Sequence, residues 1–207
     1  RIREKIISLG GEYRFENRLE DLIIRDGKLT GLKIAAPGGE IYEQPADKLI
    51  LAVGHSARDT FEMLHKNGVY IEQKPFSVGV RIEHAQKSVD AAQYGRFAGH
   101  PALGAADYKL AAHFDNGRSA YTFCMCPGGM VVAAASEPGQ VVTNGMSEFA
   151  RDRENANAAL LVGVEPRDFG SAHPLAGMYF QRRLEEAAFR AGGGDYRAPA
   201  QLVGDFL

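Results

Sequence analysis

Apolar positions along this chain change rhythm several times, and the changes mark its organisation. At the start Ile2, Ile6, Ile7 and Leu9 recur at helical spacing, and Gly10-Gly11 then stops the helix. Strand-like runs follow at residues 13–16, 22–25 and 29–35, with Asp26-Gly27 as a hairpin signal between the last two. Pro37-Gly38-Gly39 turns the chain again before Ile41-Tyr42, so a small antiparallel meander is expected. Residues 49–53, Leu-Ile-Leu-Ala-Val, then form a continuous apolar run ended by Gly54. That texture predicts a strand buried on both faces, as in a parallel sheet. It is a lone strand of its kind, so its partners are expected outside this chain. A helix is expected from Ser56, with Asp59 as a capping-box partner, to near Gly68.

Beyond Gly68 the pattern alternates. Phe76, Val78, Val80 and Ile82 would share one face of a strand, with Ser77, Gly79, Arg81 and Glu83 on the other. Residues 121–126 and 130–135 flank Pro127-Gly128-Gly129 and read as a hairpin; 159–164 is a further strand. A last amphipathic helix spans 175–191, with Phe180, Leu184, Ala187, Ala188 and Ala191 on one stripe, and Gly192-Gly193-Gly194 closes it. The fold class is therefore α+β. A boundary falls between residues 57 and 75, giving a first domain of 1–57 and a mainly antiparallel domain of 58–207.

Composition narrows the function classes. Twenty-four basic residues against 26 acidic ones leave a net charge of −2, and no basic run offers a surface for nucleic acid or an anionic membrane. No apolar run approaches the roughly 20 residues a bilayer-spanning helix needs. Two cysteines, both in Cys124-Met125-Cys126, do not make a secreted disulfide framework, which points to a reducing cytoplasm. The abrupt start at Arg1 in helical sequence and the apolar end at Phe206-Leu207 suggest an internal piece of a larger protein.

Several segments carry a resemblance. They are Gly54-His55-Ser56-Ala57-Arg58-Asp59, the stretch from Lys74 through Val78-Gly79-Val80-Arg81-Ile82-Glu83-His84, Phe123-Cys124-Met125-Cys126-Pro127-Gly128-Gly129, Thr143-Asn144-Gly145-Met146-Ser147, and Ala198-Pro199-Ala200-Gln201 to Asp205-Phe206. Together they resemble a family of uncharacterised bacterial FAD-dependent dehydrogenase-like proteins, over nearly the whole chain. The helix, meander and apolar strand also resemble the latter half of an FAD domain of the two-dinucleotide type. The resemblance implies a fragment of an FAD-dependent oxidoreductase, with the second domain covering the flavin ring and supplying the substrate's surroundings. It implies FAD in the parent protein, a small-molecule substrate and, by analogy, an NAD(P)H donor. The phosphate-binding Gly-x-Gly-x-x-Gly that such a site requires between a strand and a helix is not spelled anywhere in the chain, and the Gly192 run follows a helix instead of opening one. The chain by itself is accordingly expected to be inactive and to hold no FAD.

Candidate residues follow from these segments, each beside a plainer reading. Gly54, His55, Ser56 and Arg58 would lie beside the flavin, or would simply join a strand to a helix. Arg81 and His84 close a strand and would gather polar chemistry there, His84 as an acid or base; an Arg81–Glu83 ion pair and a structural histidine are the alternatives. Cys124 and Cys126 would project from one face of a regular strand roughly 6.5 to 7 Å apart, at the limit for a disulfide. Two buried, reduced thiols are the plainer reading, and a redox pair or a thiol facing the flavin is the sharper one. No zinc set is visible, since there is no third cysteine and the six histidines are scattered. Gly128 and Gly129 would present amides to the cofactor, or merely turn a hairpin; Asn144, Asn155 and Asn157 would bind substrate or satisfy turns. A non-catalytic interaction module and a thiol-based redox protein are the rival functions. The unpaired strand 49–53 predicts a homodimer or an edge covered by the chain's own meander.

Overall fold

The computed structural model describes residues 1–206, which divide into two compact units, Arg1–Ile71 and Glu72–Leu207. In the first, α1 (Ile2–Ser8) buries none of its residues. Strands β1 (Arg18–Arg25), β2 (Lys28–Ala35) and β3 (Ile41–Pro45) form an antiparallel sheet in that order. Asp26 and Gly27 take φ of 50° and 72° between paired Arg25 and Lys28, the two-residue turn that Asp-Gly favours. Residues 13–16 are not a strand. The first strand instead begins at Arg18, because register shifts after Leu19 and Ile23 break the period of two that would have announced it.

The expected buried strand at 49–53 also does not form. Among the described residues the segment has no sheet partner, and all of it but half-buried Leu49 is exposed, Ile50 at 92 %. A strand exists only through the ladder it shares with a neighbour, and a parallel neighbour is what these residues lack. Helix α2 (Arg58–Lys66) starts two residues later than expected, with Ala57 at its N-cap and no capping side chain; Asp59 instead accepts from the Thr60 amide. Gly68 ends it at φ 73°, where the Val69 amide reaches back to Leu64. Helix α2 lies against β1, and Asn67 donates to Asp21 at 2.7 Å. That bond holds the Asp21 carboxyl below its ordinary pKa.

The second unit is built on β4 (Phe76–Ala85), β5 (Ala111–His113), β6 (Ser119–Cys126) and β9 (Asn155–Val164), antiparallel throughout in the order β4-β9-β6-β5. A separate antiparallel ribbon, β7 (Gly129–Ala134) with β8 (Val142–Ser147), packs near it. The expected hairpin about Pro127-Gly128-Gly129 is thus absent: β6 and β7 belong to different sheets. Gly128 sits at φ 50°, and a Cβ there would lie 1.8 Å from the Arg151 carbonyl, so the turn is packed solid against a distant segment.

Two clusters form the core. Val89 of α3 (Gln86–Tyr94) packs with Ala106 and Ala156. Val164, Phe169 and Ala176 gather Phe76, Val78 and Phe180, with the Phe76 and Phe169 rings stacked at 5.1 Å. Helix α4 (Ala176–Ala191) contributes Ala176 and Phe180, but Leu184 of the expected stripe is exposed at 45 %. Gly192, Gly193 and Gly194 close it as a helix stop, the Gly194 amide reaching Phe189. A short α5 (Val203–Phe206) ends the described chain.

Candidate functional site

Strand alternation decides which side chains meet. In β4, Arg81 and His84 are three residues apart and therefore leave opposite faces of the sheet, so they do not form one site. His84 Nε2 meets the Tyr108 hydroxyl at 2.7 Å, while its Nδ1 is buried without a partner among the described residues. Burial pushes the Tyr108 phenol up. Glu83 does not pair with Arg81 either. It accepts at 2.9 Å from Asn155 of β9, two residues from its ladder partner Asn157.

Arg81 turns instead to Asn157, which is fully buried on β9, and donates from Nη1 to its side-chain oxygen. The same nitrogen donates to the Cys124 carbonyl at 3.3 Å, and the Cys126 thiol donates to that carbonyl at 3.4 Å. Gly145 of β8 lies directly over the group. A Cβ there would fall 2.2 Å from both Arg81 Nη1 and the Asn157 oxygen, and 2.7 Å from the Cys126 sulfur. Only glycine lets the β8 backbone approach so closely. Asn157 Nδ2 is buried with no partner among the described residues, an uncommon state for an amide.

The two cysteines differ sharply. The strand is not regular at this point: pairing with β9 slips between Phe123 and Cys126, and Cys124 takes φ 48° in the gap. Cys124 is consequently exposed and Cys126 buried, both as free thiols. The expectation of two buried thiols on one face is therefore corrected for Cys124, and its cause is the bulge. Phe123, just before it, is 60 % exposed.

At Gly128 the backbone amide is already engaged, donating to Gln86 Oε1 at 2.7 Å, and Gln86 in turn donates to Asp90 and to the Ala106 carbonyl. Gly129 is closed off by the Met146 carbonyl, 2.2 Å from where its Cβ would be. Asn144 is paired opposite Val132 in the β7–β8 ribbon. In the first unit, Gly54 sits at φ 73° with open space around it, His55 and Ser56 are exposed side by side at 3.4 Å, and Arg58 is buried.

Sequence reasoning missed a second polar group. A hollow of about 310 Å³ is lined by Phe76, Ser77, Arg118, Ser119, Tyr121 and Glu165, among others. Tyr121 donates to Ser77 at 2.7 Å. Arg118 donates twice to Asp168, at 2.7 and 3.0 Å, and to the Gly163 carbonyl. Those bonds, together with the Glu165 amide, hold the Asp168 carboxyl down at about 2. No local signal announces this pair, whose members stand 50 residues apart. Among the described residues no three histidine, cysteine or acidic side chains gather to hold a metal, and no helix is long and apolar enough to cross a membrane.

Residues 75–207 match the family described as FAD-dependent protein, C-terminal domain-like. The chain belongs to that family. It is also 52 % identical, over all 207 of its residues, to an uncharacterised protein of Clostridium beijerinckii (strain ATCC 51743 / NCIMB 8052). The chain spans 38 % of the length of that relative. The matched family begins within a few residues of the second unit, so the Arg81–Asn157 group and the Arg118 hollow both belong to the family's domain.

Proposed function

We propose that the second unit forms the substrate side of an FAD-dependent oxidoreductase, and that the first contributes part of the FAD domain. The family match over residues 75–207 carries this reading. When bound, the flavin would supply electron or hydride transfer, and this chain's side chains would supply the surroundings of the substrate.

In this reading residues 54–58 would serve the flavin end of FAD, and the pyrophosphate end would be held by residues other than these. Gly54 is in the left-handed region with nothing within 4 Å of where a Cβ would stand, and His55 and Ser56 are exposed beside it; in this reading these residues would face the flavin. No Gly-x-Gly-x-x-Gly is available for the pyrophosphate, and Gly128, whose amide is taken by Gln86, offers nothing in its place. An ordering cost for so long a ligand, without its phosphate anchor, leaves little net affinity.

Titrating FAD into residues 1–207 while following flavin fluorescence, beside the same titration of the full-length protein, tests the reading. The full-length protein should purify yellow, and residues 1–207 should bind FAD weakly or not at all. A colourless full-length protein that binds no FAD overturns the proposal.

A further inference from the structure

Half-buried arginines in the second unit are matched with carboxylates, with one exception. Arg118 holds Asp168 and Arg182 holds Glu137, each at 2.6 to 2.7 Å. Arg81 holds only neutral oxygens, those of Asn157 and Cys124, both through Nη1. Among the described residues it makes no ion pair, and its Nε and Nη2 meet no protein acceptor and are not buried. A guanidinium partly withdrawn from water without a counter-charge is costly to keep. Yet this one is fixed in place, from below by Asn157 and from above by the glycine backbone at 145. Its unused nitrogens present the flat fork that matches a carboxylate.

The register shows what stands beside it. Ala159 of β9 is paired with Arg81 on one side and with Phe123 on the other. Ladder partners share a face, so cation, methyl and ring form one row across three strands, with the Arg81 and Phe123 backbones about 10 Å apart across the sheet. The central side chain is small, and the ring is 60 % exposed. An arginine with a free fork, a shallow floor and an uncovered aromatic face make a seat for a particular shape.

We propose that Arg81 and Phe123 form a binding site for an organic carboxylate with a planar apolar body. The carboxylate pairs with Arg81, and the body lies over Ala159 against the Phe123 ring. Asn157 and Gly145 are positioning residues that keep the guanidinium turned toward the row. The site's biological meaning, recognition of an anionic substrate, rests on the oxidoreductase reading, whereas ligand binding itself needs no flavin. The two therefore fail separately.

Benzoate is the simplest probe. It is titrated into ¹⁵N-labelled protein without FAD, and its dissociation constant is read from amide shifts; benzyl alcohol serves as the neutral counterpart and acetate as the one lacking a ring. Benzoate should perturb amides of β4, β6 and β9 around Arg81, Phe123 and Ala159, with benzyl alcohol and acetate each at least about tenfold weaker. Arg81→Gln should weaken benzoate by about tenfold or more, and Phe123→Ala should bring it down to the level of acetate. Arg96→Gln, at an exposed arginine lying over Phe97, should change nothing. Phe123 is exposed, so Phe123→Ala keeps the fold and decides the matter even if Arg81→Gln does not fold. The proposal is overturned if benzoate does not bind, if benzyl alcohol binds equally well, or if the folded Phe123→Ala protein binds benzoate like the wild type.

Discussion

The two units differ in how far they bury their apolar residues. In the second, Phe76, Phe169 and Phe180 close on Val164 and Ala176, and Ala156, Asn157 and Ala158 of β9 are entirely covered. In the first, Leu22 and Leu64 are buried, but Ile2, Leu9, Phe15, Ile41 and Ile50 are not. The exposed residues are not scattered. Besides Phe15 and Ile41, they lie on the apolar pattern that opens the chain and in the continuous run 49–53, positions whose spacing encodes burial. A hydrophobic pattern specifies that a face is to be covered, and the cover can come from elsewhere. The second unit covers the residues of its two clusters, although Phe97, Leu110, Phe114, Phe123 and Phe149 stay exposed; residues 1–71 leave even their patterned helix and their apolar run uncovered. A chain that spans 38 % of a relative is consistent with this division.

Hydrogen exchange gives the largest effect by which the contrast can be broken. Amides in the middle of β9 should exchange on the order of a thousandfold more slowly than those of 49–53, because opening a covered central strand approaches global unfolding. Comparable rates would remove the contrast. In a longer protein that contains the cover, protection should rise at 49–53 and stay unchanged in β9.

Substitutions sharpen the same comparison. Phe169, at 2 % exposure, should cost about 3 to 5 kcal/mol on truncation to alanine, against less than about 0.5 kcal/mol for exposed Phe15. Gly128→Ala should cost at least about 3 kcal/mol, because left-handed backbone and a collision with the Arg151 carbonyl add. Gly54→Ala has the first penalty alone and should cost about 1 kcal/mol. Denaturant midpoints of the four variants decide this, and equal losses at Gly54 and Gly128 would contradict the packing described.

A smaller effect lies within one strand. A thiol reagent should label Cys124 quickly in the native protein and Cys126 only after denaturant is added. Fast labelling of both would mean that the β6 bulge does not hold Cys126 in.

The smallest concerns pH. Arg118 holds the Asp168 carboxyl at about 2, below its ordinary 3.8. A carboxylate with a lowered folded-state pKa stabilises above the ordinary value, and that stability is lost as pH falls toward the lowered one. Thermal midpoints should therefore fall between pH 4 and 2 more steeply in the wild type than in Asp168→Asn. Parallel curves would show that the pair adds nothing.

The sequence by itself determined the local matters. The alternation from Phe76 to Ile82, the turn at Asp26-Gly27, the two glycine-ended helices α2 and α4, and an α+β chain with mostly antiparallel strands were all legible, because each depends on backbone geometry within a few residues. The charged start of β1 and the asparagines of β9 hid those strand beginnings, since the β1 bulge and the buried Asn157 depart from plain alternation. Tertiary structure alone decided that β6 and β7 part into different sheets, that Arg81 meets Asn157 rather than Glu83, and that Arg118 finds Asp168. These partners are 76 and 50 residues apart in the chain, and no local periodicity records such a distance. Which distant groups meet is settled only when strand register and packing are fixed together.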